Sequence, residues 1–289
     1  MKKQIDAGKI VTYVILSFFV LLCLYPFVNV IAYSFSDANS VMAGKITLFP
    51  KNFQTDAYKQ ILKQKQIWSS MNISVLVTLT GTLLSLVLTI CAAYALSKKE
   101  LKGRSIITGF ILFTMYFGGG IIPTFMVVKG VGLYDSVASL VIPSAMNVFN
   151  FIIMQTFFKN IPKELKEAAF MDGANDMTIL VKIILPLSIP IIATIGLYYA
   201  VSYWNDYFSA LLYIQTPEKF SLQLRLRQML FADQVNNLGN VSTDTAMVKV
   251  MPETLKMACI VLTTLPIVVL YPFLQKYFVK GTMVGAVKG

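Results

Sequence analysis

Long apolar runs separated by short polar segments organise this chain. Six runs, at about 10–35, 67–97, 104–128, 134–158, 185–214 and 253–278, are apolar over lengths close to or beyond the roughly 20 residues a helix needs to cross a hydrocarbon core. Lipid offers no partners for backbone N–H and C=O groups, so a spanning segment must be a helix or part of a closed barrel, and long unbroken runs select helices. Polar segments lie between them at 36–66, 98–103, 159–184 and 215–252. No Ser/Gly linker, low-complexity tract or internal repeat divides the chain. The pattern predicts an all-α membrane protein of six transmembrane helices, forming one membrane domain over 1–289.

Composition agrees with this pattern. Hydrophobic residues make up 56% and charged residues 13% of the 289 positions, and mean hydropathy is +0.67. Soluble domains carry about 25% charged residues. The basic N-terminus followed by an apolar run could imitate a signal peptide, but a run of about 25 residues exceeds the 7–15 of a signal core, so a retained span is expected. The net charge of +11 does not indicate nucleic acid, because no basic cluster is interleaved with aromatics. The arginines are only Arg104, Arg225 and Arg227, and the lysine bias weakens any phosphate-fork reading. Basic residues instead flank the spans. Lys2, Lys3, Lys9, Lys98, Lys99, Lys102, Arg104, Lys159, Lys163, Lys166, Lys182, Lys276, Lys280 and Lys288 fall on one side, which places both termini in the cytoplasm. Lys45, Lys51, Lys59, Lys63 and Lys65 oppose them and make the bias modest. With this orientation 159–184 is a cytoplasmic loop and 279–289 a cytoplasmic tail.

Candidate chemistry on the chain itself is sparse. There are no histidines, which removes Ser-His and Cys-His catalysis and histidine metal sites. Cys23, Cys91 and Cys259 lie inside apolar runs without metal-ligand spacing. The stretch FGGGIIP, Gly118 to Pro123, lacks the phosphate-loop spacing and reads as a helix break or a close packing point. No cofactor or metal site is expected on this chain, and without a nucleotide site it cannot hydrolyse ATP unaided.

The charge that the spans lack is concentrated in KELKEAAFMDGAND, residues 163–176. Asn160 is placed to cap a helix opening with Pro162 and Glu164. Ile161, Leu165, Ala168 and Ala169 follow at i, i+4, i+7 and i+8, a narrow apolar stripe with small residues that allow another surface to approach. Gly173 permits a left-handed residue and a sharp turn, after which DMTILVKIILP leads straight into the next span. A docking helix and an ordinary amphipathic loop both fit this composition.

The spacing of Glu167-Ala168-Ala169, Gly173, Ile183, Leu185 and Pro186, together with Asp172 and Ala174, resembles the EAA loop of ABC importer permeases. The segments YWNDYFSALLYI (203–214) and YPFLQKYFVKGTMVGAVKG (271–289) are similar to the carbohydrate-importer branch, which includes the shorter maltose permease subunit. They are more similar still to Gram-positive permeases for complex oligosaccharides of the LplC and YtcP type. The resemblance implies a type I importer permease fold in a bacterial plasma membrane, the bacterium Gram-positive. It also implies that Glu167 meets an ATPase subunit, Ala168 and Ala169 form the close contact, and Gly173 makes the turn. Partners implied are a second homologous permease, two ATPase subunits holding ATP and Mg²⁺, and a lipid-anchored solute-binding protein that delivers oligosaccharide. The C-terminal tail with Gly281, Gly285 and Gly289 would be flexible and reach between the ATPase subunits; a frayed terminus is the other reading.

Polar and aromatic residues inside spans are candidates for a substrate path, because they are costly facing lipid. In the fifth run these are Tyr198, Tyr199, Tyr203, Trp204, Asn205 and Asp206, and in the fourth Asn147, Asn150 and Gln155. Aromatic faces and amide or carboxylate groups suit sugars. Interfacial anchoring explains Trp and Tyr equally well, and interhelical hydrogen bonding explains the fourth-run group. An ion-coupled secondary transporter would need ionisable residues at mid-span, where Asp206 alone is a candidate and lies off-centre. An intramembrane enzyme would need a nucleophile–base or metal constellation, and none is evident.

Overall fold

The structure, a computed structural model, describes residues 7–238 and 253–286. The described residues contain helices and no strands. Fourteen α-helices follow one another: α1 Ala7–Ser34, α2 Ala38–Met42, α3 Asp56–Lys63, α4 Lys65–Ser97, α5 Arg104–Tyr116, α6 Ile121–Gly130, α7 Val148–Asn160, α8 Lys163–Met171, α9 Asp176–Ile179, α10 Leu185–Leu187, α11 Ile189–Asn205, α12 Phe208–Tyr213, α13 Leu222–Leu238 and α14 Glu253–Ala286. Two of them, over Gly8–Ser34 and Lys65–Ser97, are long and apolar enough to cross a membrane unbroken. Three further candidate spans are bent pairs: Arg104–Tyr116 with Ile121–Gly130 at 117°, Val137–Ser144 with Val148–Asn160 at 49°, and Asp176–Leu187 with Ile189–Asn205 at 83°.

Each break has a cause in the sequence. The first falls on Gly118 to Gly120, where Gly120 takes φ +85°. The second lies between the 3-10 turns Val137–Leu140 and Ile142–Ser144 and the start of α7, where Asn147 is extended and caps the new helix. The third lies at Ser188 between Pro186 and Pro190, so the loop's second arm does not run straight into the next helix as its apolar continuity suggests. Pro190 cannot donate back to residue 186, and the helix restarts at an angle.

The chain divides into two compact units. The first comprises 1–68 and 225–266. Here α1 exposes its apolar side chains over 8–28, as expected of a helix in lipid or against a partner, and buries Ala32 near its end. At its end Phe35 stacks on Phe53 and Tyr58, with centroids 5.2 and 4.8 Å away, and Ser34 pairs with the Tyr58 hydroxyl at 2.8 Å.

The second unit comprises 69–224 and 267–289. Phe151, Met154 and Phe158 on α7 are fully buried, and Ile179, Ile184 and Ile195 pack into the same core. In this unit α4 is patterned inside-out. Its buried face carries Ser70, Ser74, Gly81, Ser85, Thr89 and Ala93, whereas Leu79, Leu83 and Val87 are exposed. Small and hydroxylated residues let membrane helices approach closely. Gly81 takes the ring of Tyr203, and on α11 Gly196 takes Leu86. The C-terminal run is helical in α14 through Gly281 and Gly285, which differs from the flexible tail expected there; Gly289 lies outside the described residues.

A methyl group on Gly81 would lie 2.7 Å from ring carbons of Tyr203. Gly81→Ala should therefore destabilise the fold by about 1–3 kcal/mol, the usual cost of overpacking. Thermal unfolding in detergent checks this: the loss should shrink when Tyr203→Leu is added and persist if the two sites are independent.

Candidate coupling loop and translocation cavity

Asn160 does not cap the loop helix, because α7 runs through it. The chain breaks at Ile161-Pro162, and α8 opens on Lys163 with Pro162 in the cap position. Ile161 and Ala169 turn into the core, while Leu165, Glu167, Ala168, Phe170 and Met171 are exposed. The expected apolar stripe is thus split, with Ala169 anchoring the helix and Ala168 facing outward. Gly173 has φ +79°; its N–H donates to Phe170 O and that of Ala174 to Ala169 O, both at 3.0 Å. These paired bonds form a Schellman closure, with Ala174 and Ala169 packed into the same core. Asp172 is the last helical cap. Asn175 then caps α9 by accepting from Thr178 N at 2.8 Å. Leu180 to Ile184 form a π-helical turn that buries Leu180 and Ile184, with Ile183 and Leu185 half-buried and Pro186 exposed.

The loop and the helix ends beneath it are held by residues to which the sequence assigned other roles or none. Tyr94 donates its hydroxyl to Asp176 O at 3.3 Å, and Lys98 forms an ion pair with the Asp176 carboxylate while lying 4.8 Å from the Tyr94 ring. Gln155 donates to Leu96 O at 2.9 Å and accepts from Lys159 at 3.0 Å, which joins the last turns of α4 and α7. Lys166 reaches Phe158 O at 3.4 Å. Burial lowers the Lys166 pKa, and the positive charges of Lys98 and Lys163 lower it further against the opposing pull of Glu100. An open pocket of about 570 Å³ lies among these residues.

A second cavity, of about 440 Å³, gathers residues from the fourth and fifth apolar runs. Asn147, Asn150, Tyr199, Tyr203 and Asp206 line it together with Tyr198 and Ser202; Trp204 and Asn205 do not. Trp204 is buried and Asn205 exposed elsewhere. Tyr199 and Tyr203 are only 3% and 6% exposed, and their hydroxyls are already used. Tyr199 pairs with Thr89 at 2.7 Å and accepts from Asn147 N at 3.0 Å. Tyr203 pairs with Ser85 at 2.9 Å and donates to Val141 O at 3.3 Å. Both tyrosines satisfy backbone groups freed by the break in the fourth run, where lipid would supply no partner. Asn147 caps α7 by accepting from Asn150 N at 3.1 Å, and Asp206 accepts from Ser209 N at 3.0 Å at the start of α12. Tyr198 and Ser202 are exposed and Asp206 is half-buried. The lining offers aromatic faces, amides, hydroxyls and one carboxylate, a set suited to a polyhydroxylated solute. The hydroxyl spacing along α4 was the one available sign of these partners.

A third cluster joins the two runs at their other end. Asp135 accepts from Gln215 N and Thr216 N, both at 3.0 Å, from the Thr216 hydroxyl at 2.5 Å, and from Lys219 at 3.3 Å. Asp135 N also donates to Tyr213 O at 2.8 Å.

A helical body with an apolar surface, spans broken around a polar cavity and a charged helix packed onto their ends defines a membrane transport component. A family model for the inner-membrane component of binding-protein-dependent transport systems matches residues 85–284. The chain is 45% identical over 277 residues to the polygalacturonan/rhamnogalacturonan transport system permease protein YtcP of Bacillus subtilis, covering 96% of both chains. To protein LplC of the same organism it is 43% identical over 265 residues, covering 91% of this chain and 89% of that one. A crystal structure of a bacterial ABC transporter involved in the import of the acidic polysaccharide alginate superposes with a TM-score of 0.85 at 34% identity, covering 96% of this chain and all of the matched one. The chain therefore belongs to the family of inner-membrane permease components of binding-protein-dependent ABC transport systems.

Tyr199→Phe removes a hydroxyl that serves both Thr89 and Asn147 N. It should cost about 1–2 kcal/mol in stability, above the average for a single membrane hydrogen bond because a backbone N–H is left unpaired. Unfolding of Tyr199→Phe, Thr89→Val and the double variant checks this, with a double-variant loss smaller than the sum expected.

Proposed function

We propose that this chain is one of two homologous permease subunits of an ATP-driven importer that brings oligosaccharides derived from complex glycans into a Gram-positive cell. Six spans would cross the plasma membrane with both termini inside. Two ATPase subunits would hold ATP and Mg²⁺, and a lipid-anchored binding protein would deliver the sugar. The observation that carries the reading is the loop over residues 163–186, in which an exposed helix bearing Glu167 is closed at Gly173 and continued by a buried arm. A surface helix held in this way passes a push on its exposed face to α4 and α7 through Asp176, Lys98 and Lys166. ATPase closure would move the loop and turn the cavity outward, and hydrolysis would return it inward. The names of the relatives support sugar as cargo, and the tyrosine- and amide-lined cavity is compatible with it. In this reading Tyr198, Ser202 and Asp206 offer the groups nearest a passing solute, while Tyr199 and Tyr203 hold the wall. The helical tail through Gly281 and Gly285 is proposed to approach the ATPase subunits.

Glu167→Ala should reduce ATP-driven oligosaccharide uptake about ten-fold or more in proteoliposomes containing all partners, equivalent to losing one well-placed charged contact. ATPase activity should no longer respond to the binding protein. Gly173→Ala should impair uptake through the roughly 1–2 kcal/mol strain of a left-handed residue, and Gly173→Asn should impair it less. Wild-type uptake in both Glu167→Ala and Gly173→Ala, or uptake that survives removal of the ATPase subunits, would refute the reading.

A further inference from the structure

The pocket between the loop helix and the ends of α4, α5 and α7 shares Lys98, Lys166, Glu167 and Asp176 with the transport reading, but that reading gives the pocket itself no occupant. It contains six cationic side chains, Lys98, Lys99, Arg104, Lys159, Lys163 and Lys166, against the carboxylates of Glu100, Glu167 and Asp176. Lys98 engages Asp176, which leaves five cationic groups against the two carboxylates of Glu100 and Glu167. Like charges held this close raise one another's energy, and an anion between them would lower it. The remaining wall is apolar, made by Tyr94, Ile161, Phe170 and Ile179.

The position of the pocket narrows the identity of that anion. Here α4 ends at Ser97, α5 begins at Arg104 and α7 ends at Asn160, each where an apolar run meets polar chain. The pocket therefore lies at the level of lipid head groups. Basic pockets between helix ends on the cytoplasmic side suit anionic head groups, and each basic residue near such a surface contributes about 1 kcal/mol. A free anion would leave the apolar wall unused. An acidic side chain of an ATPase would meet the exposed loop helix before it met Arg104 and Lys159, which belong to the span ends.

We propose that this pocket binds the phosphate head group of an anionic phospholipid from the cytoplasmic leaflet. Arg104 and Lys159 hold the phosphate, and Tyr94, Ile161 and Ile179 receive the glycerol and the first acyl carbons. Arg104 presents a planar fork suited to two phosphate oxygens. Because Lys163 and Lys166 share the pocket, a bound lipid also presses on the loop helix, which makes coupling sensitive to the surrounding lipid. The proposal rests on the reading that this end of the bundle is cytoplasmic.

The test uses the complete importer, purified with its ATPase subunits and titrated with phosphatidylglycerol or phosphatidylcholine while native mass spectrometry counts retained lipid. The wild type should retain phosphatidylglycerol in preference, and millimolar inorganic phosphate should not displace it. Arg104→Gln with Lys159→Gln should weaken retention about thirty-fold, two charges at about 1 kcal/mol each. Arg104→Lys with Lys159→Arg should restore most of it. If the double variant does not assemble, each single Gln variant should show about a five-fold loss. Four outcomes would overturn the proposal: unchanged retention in assembled Gln variants, equal retention of phosphatidylcholine, displacement by inorganic phosphate, or binding only after the ATPase subunits are stripped away. The last would assign the pocket to an ATPase side chain. Retention is read without transport, so its failure leaves the Glu167 experiment untouched.

Discussion

Backbone amides in an apolar medium must find partners inside the protein, and the second unit is arranged around that demand. A helix meets it automatically, but three candidate spans here are broken. Each break frees N–H and C=O groups that cost several kcal/mol apiece if left bare in hydrocarbon. The fourth apolar run shows the solution most clearly. Val141 O and Asn147 N, on either side of its break, are met by Tyr203 and Tyr199, which in turn rest on Ser85 and Thr89 of α4. The hydroxyls on the buried face of α4, the tyrosines four apart on α11 and the small residues that bring those helices together answer one requirement. The polar cavity lies beside this repaired break.

That arrangement also accounts for what was legible in the sequence. The all-helical body, the long unbroken helices α1 and α4 and the helix–turn–helix of the loop follow from residue patterns alone, because length, apolarity and a glycine at the turn act locally. The break at Gly118 to Gly120 was likewise visible as a glycine run. Less visible was the angle at Ser188, since Pro186 and Pro190 announce a break but not its direction. Asn160 misled because α7 continues to the proline, and only the three-dimensional core shows how far α7 extends. Tyr199 and Tyr203 line one cavity with Asn147, Asn150 and Asp206, whereas Trp204 and Asn205, named with them from the sequence, do not. The tyrosines' internal hydrogen bonds were hidden, because the partners lie more than a hundred residues away on α4.

The loop shows the same division between local and distant information. The turn at Gly173 was legible, since a Schellman closure is written in six consecutive residues. What secures the loop, namely Tyr94 of α4, Lys98 just beyond it and the reach of Lys166 to the backbone of α7, bears no motif. The alanine pair illustrates how a motif can conceal two tasks. Ala169 must be small because it is enclosed, and Ala168 lies where another surface can reach it.

The Tyr199 hydroxyl joins three segments at one oxygen, and that has a mechanical consequence. With α4, α11 and the start of α7 meeting there, and Asp135 fastening the fourth and fifth runs at their far end, these segments cannot slide along one another without giving up several hydrogen bonds together. The wall of the cavity is cross-braced by these bonds. In the proposed import cycle the cavity's aperture would then be set by how that wall pivots at the bends at Ser188 and at the glycine run.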